Sequence, residues 1–205
     1  MTRSLYLLGD INLKGLANPG LVFDVVGPQI AQADMVFANL ECCLFDGAGQ
    51  AAEKRGFYVP TQSAALLKAG GLQVAGTANN VNIGAEAIAS SLSALAKAGI
   101  TTVGAGLDQA SAYRAVVVER NGLRYGFLQR TAVYWPDGHE AKPGQPGVAV
   151  LKAHTAYRPQ YEQQAARTRP GVPPEVVTWA DSASLAEVSN AVADLRKQAD
   201  IVIAS

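Results

Sequence analysis

Three apolar runs in the first eighty residues each end in side chains whose oxygen atoms could bind a metal ion. The runs and the polar residues that follow them are 5–9 with Asp10, 35–38 with Asn39 and Glu41, and 72–78 with Asn79 and Asn80. If the runs are neighbouring parallel strands, these side chains meet at one edge of a sheet, where open α/β sheets place ligands. The sequence therefore predicts a polar and metal-binding site at this edge.

Each candidate residue has both a chemical and a structural interpretation. Asp10, at the mouth of a buried strand, suits a hard metal ion or an activated water, but Asp also caps turns. Asn39 and Glu41 point to the same side of a strand end and offer two oxygen donors to one ligand, or form capping hydrogen bonds. Asn79 and Asn80 are metal ligands or phosphate contacts, or residues of a left-handed turn.

Other chemical motifs are weak or missing from the sequence. Arg130, at the end of a predicted strand, could contact a carboxylate or phosphate oxygen, or be a solvated strand terminus. His139 and His154 have no partner at metal-ligand spacing and are expected to be exposed or hydrogen-bonded structural residues. The adjacent Cys42 and Cys43 are expected to be reduced thiols. Neither a phosphate-binding glycine loop nor a Gly-x-Ser-x-Gly elbow is present.

Composition excludes some classes of partner. Lys and Arg number 17 and so do Asp and Glu, so no net field attracts nucleic acid. Only 17% of the residues are charged, below the usual quarter, which predicts that much of the chain is buried. No apolar stretch reaches the length of about 18 residues that a membrane span needs. The first strand follows the N-terminus at once, which leaves no room for a signal peptide, so we expect a cytoplasmic protein.

Strand and helix signals alternate along the first half of the chain, which predicts parallel strands joined by helices. The predicted strands are 5–9, 34–38, 72–77 and 101–103. The predicted helices are 23–32, 61–69 and 85–98.

The second half departs from this pattern. Asn121-Gly122 lies between the strand-like segments 115–120 and 123–128, which predicts an antiparallel hairpin with a type I′ turn. Residues 131–147 form a predicted long loop, and a second irregular stretch surrounds 167–174. Further elements are a strand at 176–179, a helix at 181–198 with Ser184 and Glu187 at capping-box spacing, and a strand at 200–204. The predicted fold class is therefore α/β, with a mostly parallel sheet, flanking helices and an antiparallel hairpin.

The order and spacing of several short motifs resemble the CapA, or poly-γ-glutamate biosynthesis, family of bacterial capsule synthesis proteins. The motifs are Gly9-Asp10-Ile11, Ala33-Asp34 leading to Asn39-Leu40-Glu41, Ala78-Asn79-Asn80, the segment 84–106, and the hairpin through Asn121-Gly122. The resemblance is strongest over residues 4–131 and weaker from 132 to 205. It implies a calcineurin-like metallophosphoesterase sandwich comprising residues 1–205 as one domain.

The resemblance also implies a site. Asp10, Asn39 and Asn80 would bind a divalent Mn or Mg ion, with Glu41 and Asn79 supporting them and Asn80 or Arg130 contacting substrate. The family usually has His after the double Asn, where this chain has Val81. The implied partners are an anionic polymer or phosphate-containing substrate and membrane-associated capsule synthesis machinery. The balanced charge predicts that nucleic acid is not a partner. Family members can be membrane-associated or exported.

Three functional hypotheses follow. The first is a capsule synthesis protein whose metal-dependent phosphoester hydrolase site is incomplete, because the family's His-Trp-Gly and later His motifs would lie beyond Ser205. On this hypothesis the chain is a truncated and inactive N-terminal part. The second is a non-catalytic module that binds an anionic polymer, a saccharide or an assembly partner, in which Arg130 and the 131–147 loop matter more than Asp10. The third is an unrelated doubly wound domain whose Asn residues are only caps.

Overall fold

The computed structural model describes residues 3–16, 19–47, 54–160 and 171–205. The chain divides into two compact units, Met1–Val150 with Ala191–Ser205, and Leu151–Asn190. The described strands are β1 Leu5–Ile11, β2 Met35–Leu40, β3 Cys43–Leu44, β4 Tyr58–Val59, β5 Val74–Gly76, β6 Thr101–Val103, β7 Ala105–Gly106, β8 Val116–Arg120, β9 Leu123–Leu128, β10 Gly147–Val148, β11 Ala153–Arg158, β12 Glu175–Ala180 and β13 Ile201–Ala204. The described helices are a 3-10 helix at Pro19–Phe23, α1 Gly27–Ile30, α2 Ser63–Ala69, α3 Ala85–Lys97, α4 Gln109–Tyr113 and α5 Ser182–Leu195.

The first sheet of the larger unit contains the four parallel strands predicted from the sequence, in the order β1-β2-β5-β6. The central strand β2 is buried on both faces, as a parallel sheet covered on two sides requires. Asn39 lies opposite Asp10 on one side and opposite Gly76 on the other. The carboxyl ends of three strands therefore meet at one edge, as predicted.

The second sheet packs against one face of the first. It has the order β13-β9-β8, in which β8 and β9 form the predicted antiparallel hairpin. At its turn Asn121 and Gly122 have φ angles of 52° and 78°, the left-handed values that a type I′ turn needs. Between the sheets Phe37 stacks on Phe127 with their ring centroids 5.5 Å apart. This layer of apolar side chains makes the two sheets a sandwich.

Helices cover the outer faces of the sandwich. Val36 and Leu40, which point away from the second sheet, cluster with Leu67 of α2 and Leu95 of α3. On the far side of the second sheet, a Cβ built on Gly126 would lie 2.7 Å from Cγ of Leu195, so the end of α5 packs closely there. The chain thus has the predicted α/β sandwich architecture.

The smaller unit is built on an antiparallel ribbon. Strands β11 and β12 pair over six residues, from Ala153 opposite Ala180 to Arg158 opposite Glu175. Next to it, α5 begins after Asp181, whose carboxylate accepts a hydrogen bond from the backbone N–H of Ser184. Asp181 is therefore the N-terminal cap of α5.

Several predicted elements differ from the structure. The predicted helix 23–32 is a 3-10 helix followed by the single turn of α1, because Gly27-Pro28 interrupts the helical pattern. Strand β11 was not predicted, and the cap of α5 is Asp181 rather than a box of Ser184 and Glu187. Part of the predicted irregular stretch, 167–170, lies outside the described residues. None of the described helices has the length and apolar character that crossing a membrane requires.

Candidate functional site at the strand ends

A bulge in β1 brings Asp10 beside Asn39. Leu7 lies opposite Phe37, but the next pair is Asp10 with Asn39, so three steps along β1 match two along β2. The extra residue in β1 shifts the register so that Asp10 lies opposite Asn39, and the two side chains face the same way. Asn39 Nδ2 donates a hydrogen bond of 2.8 Å to Oδ1 of Asp10. Asp10 is exposed, and this bond holds its carboxylate in place at the edge of the sheet.

The carboxamide oxygen of Asn39 accepts hydrogen bonds from two other carboxamides. Asn79 Nδ2 donates to it over 3.1 Å, and Gln129 Nε2 donates over 3.2 Å. Two donors occupy both lone pairs of a carbonyl oxygen. In this arrangement Asn39 connects Asp10 to the second sheet and to the double-Asn segment.

The two residues of the double Asn have different surroundings. Asn79 is buried, and its Oδ1 accepts hydrogen bonds from the backbone N–H groups of Val81 and Asn82, which closes a tight turn. Asn80 is half-buried, and its side chain forms no hydrogen bond with the described residues. Asn79 therefore organises the turn, whereas the side chain of Asn80 keeps its bonding capacity.

Gln129 joins the second sheet to this site and was not predicted from the sequence. It follows β9 and is 3% exposed; its Oε1 accepts a 2.7 Å hydrogen bond from the backbone N–H of Ala78. Cβ atoms built on Gly76 and Gly104 would come within 2.6 and 2.7 Å of its carboxamide. The two glycines thus form a slot for the Gln129 side chain. The only sequence signal is its place directly after a predicted strand.

Asp10 and Glu41 form an uncompensated pair of acidic groups. Burial, and after it the negative charge of Asp10, raises the pKa of Glu41. Within the described parts of the chain, neither carboxylate forms an ion pair with a lysine, arginine or histidine. The electrostatic environment at these two groups therefore favours either a proton on Glu41 or a bound cation.

The long loop is anchored on the double-Asn turn. Trp135 Nε1 donates to the backbone oxygen of Asn80 over 3.0 Å, and the guanidinium of Arg55 lies 4.9 Å from the centre of the indole ring. His139 is buried, accepts from Trp135 N at Nδ1 and contacts Asn79 O through Nε2. Burial lowers the pKa of His139. His139 is the hydrogen-bonded structural histidine that the sequence predicted, and a neutral imidazole suits both contacts.

The remaining predicted residues lie in defined places. Arg130 donates to the backbone oxygens of Gln129 and Tyr113, and its guanidinium lies 4.6 Å from the centre of the Tyr113 ring. Val81, at the position where the family usually has His, is buried in the core. His154, which was also expected to be structural, contacts Asp181.

The donor atoms at the strand ends suit a hard cation in type but are few in number. Asp10, Glu41 and Asn80 offer carboxylate and carboxamide oxygens, the ligands that Mg²⁺ and Mn²⁺ accept. Among the described residues, no group of three or more His, Cys, Asp or Glu side chains is arranged to hold a metal ion. Such a site fits a weakly held ion that keeps most of its water ligands.

Comparison with known proteins identifies a family. The family model described as bacterial capsule synthesis protein PGA_cap matches residues 5–205, nearly the whole chain, which confirms the resemblance seen in the sequence. A search of curated proteins gives no match.

Proposed function

Because the chain belongs to the bacterial capsule synthesis protein family PGA_cap, we propose that its strand-end site binds a divalent cation and engages an anionic substrate of capsule synthesis. The strand-end site is the group Asp10, Asn39, Glu41, Asn79 and Asn80. The substrate class is a phosphate-containing compound or an anionic polymer of the poly-γ-glutamate type. The membrane-associated machinery that assembles such polymers is the proposed partner.

The observation that carries this proposal is the uncompensated pair of Asp10 and Glu41. A carboxylate that raises the pKa of its neighbour, with no described cationic side chain beside it, has lower free energy when a cation binds. Mg²⁺ and Mn²⁺ are the cations that prefer oxygen ligands of this kind. The bond from Asn39 holds one oxygen of Asp10 in place, which leaves the other for a ligand.

The roles of the residues follow from their hydrogen bonds. Asp10 and Asn80 are the proposed ligands, since each has an oxygen not used within the described structure. The carboxamide oxygen of Asn39 already accepts two hydrogen bonds, so Asn39 is proposed to orient Asp10. Asn79 supports the turn that carries Asn80.

The reaction that this arrangement supports best is hydrolysis of a phosphoester. A cation held there supplies positive charge that offsets the charge of the phosphate. Glu41, whose pKa is raised, accepts a proton from the attacking water. The water oxygen bonds to phosphorus, the bond from phosphorus to the ester oxygen breaks, and the leaving alkoxide takes up the proton that Glu41 accepted.

A second candidate is binding of the anionic substrate without hydrolysis. It is favoured by the lack of a free imidazole next to the double Asn among the described residues. The ring of His139 already contacts two backbone groups, and Val81 occupies the position after the double Asn. In this function the strand-end site holds the polymer through the cation, and no proton transfer is needed.

Titration of the purified chain with Mn²⁺, followed by the loss of the free-ion EPR signal, tests the proposal. Asp10→Asn keeps an acceptor for Asn39 but removes the charge, so we expect its Mn²⁺ affinity to fall at least about tenfold. Asp24→Asn, at an exposed carboxylate in the segment between β1 and β2, is the matched control and should bind like the wild type. A chain that binds no Mn²⁺, or binds it equally well with Asp10→Asn, contradicts both candidates.

Hydrolysis of p-nitrophenyl phosphate in the presence of Mn²⁺ separates the two candidates. Turnover that Asp10→Asn and Glu41→Gln both abolish supports the hydrolase. Mn²⁺-dependent retention of an anionic polymer without turnover supports the binding function.

A further inference from the structure

The direction in which the Asn39 carboxamide points can be deduced from backbone groups alone. The N–H of Ala78 can only donate, so the Gln129 atom that faces it over 2.7 Å is the oxygen. The other atom of the Gln129 carboxamide is therefore its NH₂ group. Since NH₂ only donates, the Asn39 atom that faces it over 3.2 Å is the oxygen of Asn39.

A second and independent chain of contacts leads to the same result. The backbone N–H groups of Val81 and Asn82 both point at one atom of the Asn79 side chain, which must be its oxygen. The NH₂ group of Asn79 then faces the backbone oxygen of Leu40 and the side chain of Asn39. The Asn39 atom on this side is again its oxygen, so its NH₂ group points to Asp10.

We infer that Gln129 is a positioning residue, which fixes the carboxamide of Asn39 so that the site presents N–H groups rather than an oxygen beside Asp10. Gln129 is the member of this network that comes from the second sheet, and it lies in the slot between Gly76 and Gly104. Its effect on Asp10 passes through Asn39. The inference deepens the proposed function, on which its consequence for cation binding rests.

The positioning role explains a feature that packing alone does not. A buried side chain in this place could be apolar, as are Phe127 and Leu128 just before it. A leucine would leave the N–H of Ala78 and one lone pair of Asn39 without partners. A carboxamide satisfies both at once, because it has one acceptor and one donor end. A carboxylate would satisfy the first and repel the second.

Gln129→Glu is therefore the sharpest test. When ionised, the introduced carboxyl group still accepts from Ala78 but turns an oxygen toward the oxygen of Asn39. We expect the NH₂ group of Asn39 to turn away from Asp10, which changes the side-chain NH₂ signals of Asn39 in ¹⁵N NMR spectra. When protonated, the same group donates a hydrogen bond and restores the wild-type signals. A titration from about pH 6 to 10 covers the range in which a buried Glu ionises.

Gln73→Glu is the matched control. Oε1 of Gln73 accepts a hydrogen bond of 2.8 Å from the backbone N–H of Val36, at the opposite end of the same sheet. The substitution changes the same chemical group and should leave the Asn39 signals unchanged at every pH. If Gln129→Glu leaves the Asn39 signals as in the wild type at high pH, or if Gln73→Glu changes them equally, the positioning role is refuted. Where Gln129→Glu does not fold, Gln129→Met provides the same NMR comparison at one pH.

Mn²⁺ affinity measured on the same samples connects the inference to the site. Residues that orient a ligand typically change metal affinity by about 10–100-fold, and we expect a loss of this size for Gln129→Glu at high pH. If the wild type binds no Mn²⁺, the proposed cation site is wrong, and the NMR signals still decide the positioning role. If the wild type binds Mn²⁺ and the variant binds it equally well, the positioning role fails and the cation site stands.

Discussion

Alanine at Gly76 should destabilise the protein because the slot for Gln129 has no room for a methyl group. A Cβ at this position would lie 2.6 Å from Nε2 of Gln129 and 2.8 Å from both Cδ and Oε1. The Gln129 side chain cannot move away freely, since Gly104 closes the other side of the slot. We expect the carboxamide to lose its bond to the N–H of Ala78.

The expected cost has two parts. Overpacking of a buried site costs about 1–3 kcal/mol. A buried N–H group left without a partner costs about 1–3 kcal/mol more. Gly76→Ala should therefore lower the free energy of unfolding by about 2–6 kcal/mol. Urea denaturation followed by circular dichroism at 222 nm measures this change.

Gly9→Ala is the control within the same sheet. A Cβ at Gly9 would meet nothing within 4 Å, so its replacement should change the free energy of unfolding little or raise it by up to about 1 kcal/mol. In a Gln129→Ala background the collision is removed, and Gly76→Ala should then cost at least about 1 kcal/mol less than in the wild type. A cost below about 0.5 kcal/mol, or an equal cost in both backgrounds, refutes the reasoning.

Three further predictions concern the core and the titrating groups. Tyr125→Phe should leave the stability in thermal melts unchanged or raise it by about 1 kcal/mol, because the buried Tyr125 hydroxyl has no hydrogen-bond partner in the described structure. A loss of stability of more than about 1 kcal/mol would contradict this prediction. The pKa of Asp34 is lowered, first by the N–H of Ser4 and then by Asn121, so its stabilising effect is present above the unfolded pKa and lost as pH falls through the folded value. Asp34→Asn should flatten the fall in stability between about pH 5 and 2 in urea melts, and an unchanged slope would argue against this assignment. Burial raises the pKa of Cys42 to about 11 and that of Cys43 to about 12, so neither thiol of the folded protein should react with a thiol reagent at pH 8 until urea unfolds the chain.

The parts of the fold that depend on local pattern were predictable from the sequence. Alternating apolar runs and helices predicted the parallel sheet, and Asn121-Gly122 predicted the hairpin. Both predictions depend on residues that lie close together in the chain. The strand at 201–204 was also predicted, but its partner was not. It pairs with β9 in the second sheet, and no local signal distinguishes that choice from a place in the first sheet.

The parts that depend on distant contacts were not predictable. β11 has the composition Ala-His-Thr-Ala-Tyr-Arg, which lacks an alternating apolar pattern, and it is a strand because β12 pairs with it over its full length. Gln129 carries no motif, and its importance follows from Gly76 and Gly104, which lie 53 and 25 positions earlier in the chain. Likewise the sequence predicted that Asp10 and Asn39 lie at one edge of the sheet, but the bulge that aligns them is visible only in the pairing of the strands.

The hydrogen bond between Gln129 and Asn39 also has a consequence for the order of folding. It joins residues 90 positions apart, whereas each helix and the hairpin form from residues within a few positions. Closing so large a loop is entropically unfavourable until other contacts hold the sheets together, so such contacts form late. The geometry of the proposed cation site is therefore a property of the finished sandwich. During refolding, the appearance of the site should lag behind the recovery of secondary structure.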